Sequence, residues 1–205
     1  KYKYNNLEII PNYIEIQRYP FLIRDKVKLK ILWVRSFDEI YNPKMAVKIV
    51  FSLKKQFSNV ELCMVGPSKD DSILKCRALV KELGMQDNVI FKGKMSKKEW
   101  IEISKNYDIF LNTTNVDNLP VSVIEAMALG MIVVSTNAGG VPFLIDDKKN
   151  GFLFNVKDTV EGVNIIKSLL LQNQKLVSKN ARSKAENYDW LKIKEKWIRL
   201  FNRYI

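Results

Sequence analysis

From Asp117 to Asp146 the chain reads DNLPVSVIEAMALGMIVVSTNAGGVPFLID, and between those two aspartates Glu125 is the only charged side chain. A carboxylate buried without a partner is costly, and no Lys or Arg lies near Glu125 in sequence. Two readings stay open. Glu125 points along its helix into a cleft, where its oxygens accept hydrogen bonds from adjacent hydroxyls such as those of a ribose. Alternatively, it lies on the exposed face of a buried helix or pairs with a distant basic residue. Pro120 suits the first helical position, and the free N–H groups of the following turn, with the Ser122 hydroxyl, make an anion site at the positive end of the helix dipole. Asp117, eight residues before Glu125, reads as a second ligand contact or as a cap or Asx-turn residue. A helix start facing a pyrophosphate, with one carboxylate before it and another inside it, could hold the sugar and ribose ends of a nucleotide sugar together.

Other chemistry is excluded by what the 205 residues lack. Without histidine there is no Ser-His-Asp triad, no Cys-His dyad and little scope for zinc. Neither a Walker A sequence nor a GxGxxG fingerprint occurs. Cys63 and Cys76 are too far apart for a CxxC pair and read as buried thiols of a reducing compartment.

The elements that must position these residues follow from periodicity. Short apolar runs alternate with longer amphipathic stretches, the pattern of βαβ units and a parallel sheet. Strands are predicted at 29–34, 60–66, 88–93, 107–112, 131–136 and 151–154. Helices are predicted at 43–57, at about 71–83, from Ser96 where SKKE matches a capping box, at 120–129 and from about Pro142. From Val156 onward the pattern is helical, with a break near Tyr188-Asp189. The expected fold is therefore α/β, a Rossmann-like doubly wound parallel sheet of about six strands with a helical C-terminal tail. Residues 1–28 are expected to be a hinge or linker, 29–187 the α/β domain and 188–205 a C-terminal helix. In an open parallel sheet ligands sit beyond the carboxyl ends of the strands, which directs attention to Arg35, Gly66-Pro67, Gly93-Lys94, Asn112 to Pro120 and Asn137 to Gly140.

The net charge of +12 is concentrated in the first 60 residues and in the tail from Lys167. It reads first as a solvated face, with an anionic membrane surface as the main rival; a basic nucleic-acid module would explain the charge but not Glu125. No apolar run reaches the ~18–20 residues of a spanning helix. The stretch Lys1–Glu15 mixes charges and asparagines in a way that does not fit a signal peptide.

The segment DNLPVSVIEAMALGMIVVSTNAGGVPFLIDDKKNGFLF resembles the donor-binding half of retaining glycosyltransferases of family 4, which have the GT-B fold. That family carries two acidic residues eight apart (EgfGlvllEAmA), then G-x-P-V-V-x-T-x-x-G-G and an N-G-x-L turn. KILWVRSF is similar to the family strand ending in Gly-Arg, and VELCMVGP to its L-x-I-V-G-x-G strand. NVIFKGKMSKKEWIEISKNYDIFLNTT is similar to its V-x-F-x-G, helix and following strand. IIPNYIE is similar to its I-P-N-G hinge between two domains.

The resemblance implies one half of a two-domain enzyme that transfers a sugar from a nucleotide-sugar donor to a glycan or lipid-linked acceptor, with retention and without metal or other cofactor. It implies that Glu125 holds the ribose hydroxyls, Asp117 contacts the donor sugar and Arg35 binds the diphosphate. Arg35, Asp117 and Glu125 are thus the candidate catalytic residues. Main-chain groups at Asn118, Leu119 and Val121, with Ser122, would cradle a phosphate; Lys92 and Gly93 would flank the base; Gly139 and Gly140 complete the candidate donor site. The family lysine after the arginine has no clean counterpart: Tyr41 falls near its place, and Lys44 is the nearest basic candidate. An Asp-x-Asp, the usual metal-holding pattern of the other main glycosyltransferase architecture, is absent. The acceptor site and the active-site histidine are expected on a missing N-terminal domain, so the isolated chain is expected to be inactive. The expected location is cytoplasmic, peripheral to the inner face of a membrane, with no nucleic-acid partner. A non-catalytic nucleotide-binding or regulatory α/β domain is the rival that the same cleft allows.

Overall fold

Successive side chains of a strand point to opposite faces of a sheet, and here both faces are apolar. Ile31, Trp33, Leu62, Met64, Ile109, Leu111, Ile132 and Val134 enter one core. Leu32, Cys63, Val65, Phe110 and Val133 enter the other. Burial on both sides is why these strands read as unbroken apolar runs rather than as alternation. In the computed structural model, which describes residues 8–203, they are β1 (Lys30–Val34), β2 (Glu61–Val65), β3 (Val89–Gly93), β4 (Ile109–Asn112), β5 (Ile132–Thr136) and β6 (Phe152–Phe154). All pair in parallel, in the order β3-β2-β1-β4-β5-β6.

The helices divide between the two faces. Helices α1 (Pro43–Lys54), α2 (Ser72–Glu82) and α6 (Thr159–Leu169) cover the first core, while α3 (Lys97–Ile103), α4 (Val121–Ala128), the short α5 (Val141–Leu144) and α7 (Lys175–Ala185) cover the second. The predicted capping box forms at the start of α3: the Ser96 hydroxyl accepts from the Glu99 N–H at 3.3 Å, and the Ser96 N–H donates to the Glu99 carboxylate at 2.7 Å. It fixes where α3 begins and hence where Lys97 stands.

The predicted helix from Val156 to Tyr188 is two helices. Between α6 and α7 the Gln174 N–H bonds to the Asp25 carbonyl at 2.9 Å, and the Asn173 side chain accepts from the Lys175 N–H at 2.8 Å. These bonds turn the chain back toward its N-terminal segment. The final helix, α8 (Trp190–Phe201), follows Asp189, near the predicted break. Among the described residues no helix is long and apolar enough to cross a membrane.

Residues 8–28 are the described part of the expected connector, and Val27 near their end enters the first core; residues 1–7 of that connector and 204–205 of the expected final helix lie outside the described residues. Ile14 bonds through its main chain to Tyr188 and Trp190, at 2.9 and 2.8 Å. Ile14 and Tyr19 are buried in the second core. Arg24 is buried as well, and its guanidinium donates to the carbonyls of Leu22, Ser104, Tyr107 and Leu129.

Cys63 and Cys76 are unpaired and fully buried. Burial pushes both thiols up, Cys76 to about 12. Since the thiolate is the reactive species, a disulfide reagent at pH 8 is expected to modify neither cysteine in the folded chain and both in denaturant. Rapid modification of the native protein would contradict this packing.

Candidate functional site

The strand order reverses direction between β1 and β4, and at such a point an open parallel sheet leaves a crevice beyond its carboxyl edge. Arg35 leaves β1 on one side of it. The loop Thr113–Pro120 leaves β4 on the other and leads into α4.

Arg35 is held from its main chain outward. Its N–H bonds to the Val65 carbonyl at 3.0 Å, and Gly66 packs so closely behind it that a Cβ there would overlap the Arg35 carbonyl. The side chain, 13% exposed, pairs with the Asp117 carboxylate, itself 13% exposed. One guanidinium nitrogen reaches the Ser122 hydroxyl at 3.4 Å, and the guanidinium stacks 3.9 Å from the centre of the Tyr41 ring. Its buried Nε has no hydrogen-bond partner among the described residues, so one strong donor is unspent in the crevice wall.

Asp117 is positioned from beneath. Its carbonyl accepts from the Gly140 N–H at 2.8 Å. Gly139 has φ +54, and a Cβ on Gly139 or Gly140 would overlap the carbonyl oxygen of Asp117 or Asn118 respectively. The two glycines thus let the loop after β4 cross the turn after β5. That is why glycine is required there.

Glu125 lies on α4, 3% exposed. Its Oε1 accepts from the Tyr19 hydroxyl at 2.7 Å and pairs with the Lys97 ammonium group. Burial first, and then the charge of Glu125, pushes the Tyr19 phenol well above its ordinary value, so it stays protonated and donates. Of the readings open from sequence, pairing with a distant base is the one the structure displays, yet the same carboxylate also lines a cavity of about 270 Å³ together with Arg35, Met95, Lys97, Val121 and Ser122.

Pro120 is not the first helical residue. With φ −68 and ψ 110 it is the extended residue before α4. The first helical bond runs from the Val123 N–H to the Pro120 carbonyl, leaving the N–H groups of Val121 and Ser122 at the open end of the helix. The remaining candidates are dispersed. Leu119 is half-buried, its carbonyl accepting from Asn12 at 3.1 Å. Asn118 and Lys92 are exposed, and the Gly93 carbonyl accepts from the Gly66 N–H at 2.8 Å. Lys44 stands apart, lining a separate cavity of about 330 Å³ with Lys48, Lys75 and Lys157.

Tyr19 and Lys97 were not candidates from sequence. They lie 106 and 28 residues from Glu125, so no local pattern links them to it; only the capping box marked the neighbourhood of Lys97. Among the described residues no group of three or more Cys, Asp or Glu side chains is placed to hold a metal ion.

Comparison with known proteins places this geometry in context. Residues 18–188 match the family described as "Glycosyl transferases group 1". An uncharacterized glycosyltransferase of Haemophilus influenzae is 30% identical over 208 residues, which cover 96% of this chain and 55% of that protein. Sucrose-phosphate synthase from Thermosynechococcus elongatus superposes with TM-score 0.85 at 20% identity, over 96% of this chain and 52% of the other. Anabaena Alr3699/HepE in complex with UDP and glucose superposes with TM-score 0.81 at 20% identity, over 95% and 56%. The chain spans about a quarter to a half of the length of the curated relatives it matches.

Because a methyl group on residue 140 must displace the Asn118 carbonyl, Gly140→Ala is expected to lower stability by ~1–3 kcal/mol. Urea denaturation measures this; an unchanged midpoint would show that the loop carrying Asp117 is not held from below.

Proposed function

The chain belongs to the glycosyl transferases group 1 family, and from that premise we propose that it is the donor-binding half of a two-domain glycosyltransferase. In this reading the enzyme moves a sugar from a nucleotide-sugar donor to a glycan or lipid-linked acceptor, with retention and without a metal ion. The observation that carries the proposal is the convergence of Arg35, Ser122 and Glu125 on one cavity at the sheet's reversal point. The UDP and glucose held by the Anabaena relative, whose fold this chain shares, support the choice of ligand class.

The roles in this reading are those the family resemblance implies. Glu125 accepts hydrogen bonds from the ribose hydroxyls. Arg35 and the N–H groups of Val121 and Ser122 receive the diphosphate, with the α4 dipole favouring the same charge. Asp117 contacts the donor sugar. Each acid is paired with a base, so binding is an exchange of partners: the diphosphate takes Arg35 from Asp117, and the released carboxylate is free for the sugar. As the bond between the anomeric carbon and the diphosphate breaks, negative charge grows on the leaving oxygens. A guanidinium and two helix N–H groups already in place stabilise that charge without reorganising. Positive charge from Arg35 supplies what a metal would otherwise bring. The rest of the rate acceleration comes from holding donor and acceptor together, which requires a second domain facing this crevice. Residues 29–187 form the α/β unit in this proposal, with residues 1–28 leading in from the other half.

Two outcomes are expected. Titration with UDP, GDP and ADP is expected to show binding of at least one, weakened roughly 10- to 100-fold in Glu125→Ala, the range for losing hydrogen bonds to a charged group. Equal affinity in the variant would remove the proposed role of Glu125. The purified 205-residue chain is also expected to transfer no labelled sugar from a nucleotide donor to any acceptor offered, and detectable transfer would refute the two-domain requirement.

A further inference from the structure

Both hydrogen bonds to Glu125 fall on one oxygen, Oε1, and they come from unlike donors. Tyr19 is 4% exposed and its main chain is clamped. Arg182 bridges the Tyr19 carbonyl, at 2.7 Å, and the Ala128 carbonyl at the end of α4, at 2.9 Å. Three residues further along, the Leu22 N–H bonds to the Leu129 carbonyl at 3.2 Å, and Arg24 donates to both the Leu22 and the Leu129 carbonyl. The N-terminal segment is thus fastened to the last turn of the helix that carries Glu125, and the Tyr19 ring reaches back one turn to its carboxylate. Lys97 differs in each respect. Its side chain is 51% exposed and approaches across the cavity from the first residue of α3 on a flexible stem. A hydrated ammonium on such a stem is held weakly.

We propose that Tyr19 is the positioning residue of Glu125: its hydroxyl fixes Oε1 and so presents Oε2 to the ligand, while Lys97 is the exchangeable partner that withdraws when ligand enters. This deepens, and rests on, the reading of Glu125 as the acceptor of ribose hydroxyls. A carboxylate that receives two neighbouring hydroxyls must keep its plane fixed, and a glutamate free to rotate loses that freedom on binding. The buried phenol removes the rotation beforehand. A phenylalanine in its place would preserve the packing and lose only the oxygen, so the hydroxyl has a role that packing does not supply. The segment leading into the domain therefore contributes to nucleotide selection and not only to connection.

The test is a titration of the 205-residue chain and of Tyr19→Phe and Lys97→Met with UDP, GDP and ADP, each beside its 2′-deoxy form. The quantity read is the ribo-to-deoxy affinity ratio within each variant, which is insensitive to the fraction of protein folded. Tyr19→Phe is expected to reduce that ratio about tenfold, the equivalent of one hydrogen bond to a charged group, and Lys97→Met to leave it unchanged or raise it. An unchanged ratio in Tyr19→Phe overturns the proposal, as does a collapse in Lys97→Met, which would make the lysine the fixed partner. A wild-type ratio near one overturns the ribose reading itself, and the Tyr19 proposal with it, and is distinguishable because it appears before any substitution. Where Tyr19→Phe is insoluble, Arg182→Lys breaks the carbonyl bridge and leaves the hydroxyl in place: a lowered ratio supports the proposal and an unchanged one overturns it.

Discussion

The carboxylate of Glu125, set into a helix that is otherwise apolar, is the constraint to which its surroundings answer. Removed from water, it requires donors, and its neighbours on α4, Val123, Ile124, Ala126, Met127 and Ala128, are apolar side chains of the second core. The donors arrive from opposite directions: Tyr19 from the segment before β1 and Lys97 from the start of α3. Both arrivals depend on features remote from Glu125, the arginine clamps on the N-terminal segment and the capping box at Ser96. Remove either support and the carboxylate loses a partner that nothing else in α4 replaces.

The second acid is handled by the same logic with different parts. Asp117 needs a cation, and Arg35 reaches it because β1 and β4 are neighbours and because glycines at 66 and 140 allow backbone approaches that any side chain would block. Acids and bases of the crevice are therefore paired with one another. Such pairs contribute little to stability once desolvation is counted. They hold two acids and two bases close to one cavity. Tyr41 adds a flat surface under the guanidinium, restricting Arg35.

Chain order and burial were legible in the residues. Continuous apolar runs such as LKILWV and MIVVST marked the strands, and SKKE marked the start of α3. The break at Leu170–Gln174 was not legible, since it depends on a bond from Gln174 to Asp25 across the whole domain. Pro120 misled for a related reason: its fixed φ suits a helix start, but ψ is set by the loop it closes, and that loop leaves it extended. Lys44 is the base nearest in sequence to the place of the family lysine, yet α1 carries it to a separate lysine-lined cavity.

The sequence by itself determined the α/β class, the apolar strands and the presence of a lone carboxylate eight residues after another acid. Those features rest on side-chain periodicity and local backbone preference, which act over a few residues. Only the tertiary structure decided which groups meet. Tyr19 pairs with Glu125 across 106 residues and Arg35 with Asp117 across 82, because hydrogen bonds and ion pairs respond to distance in space, and the sheet order sets that distance. The same order placed Lys97 beside Glu125, and crossed Gly139 and Gly140 under the loop that carries Asp117.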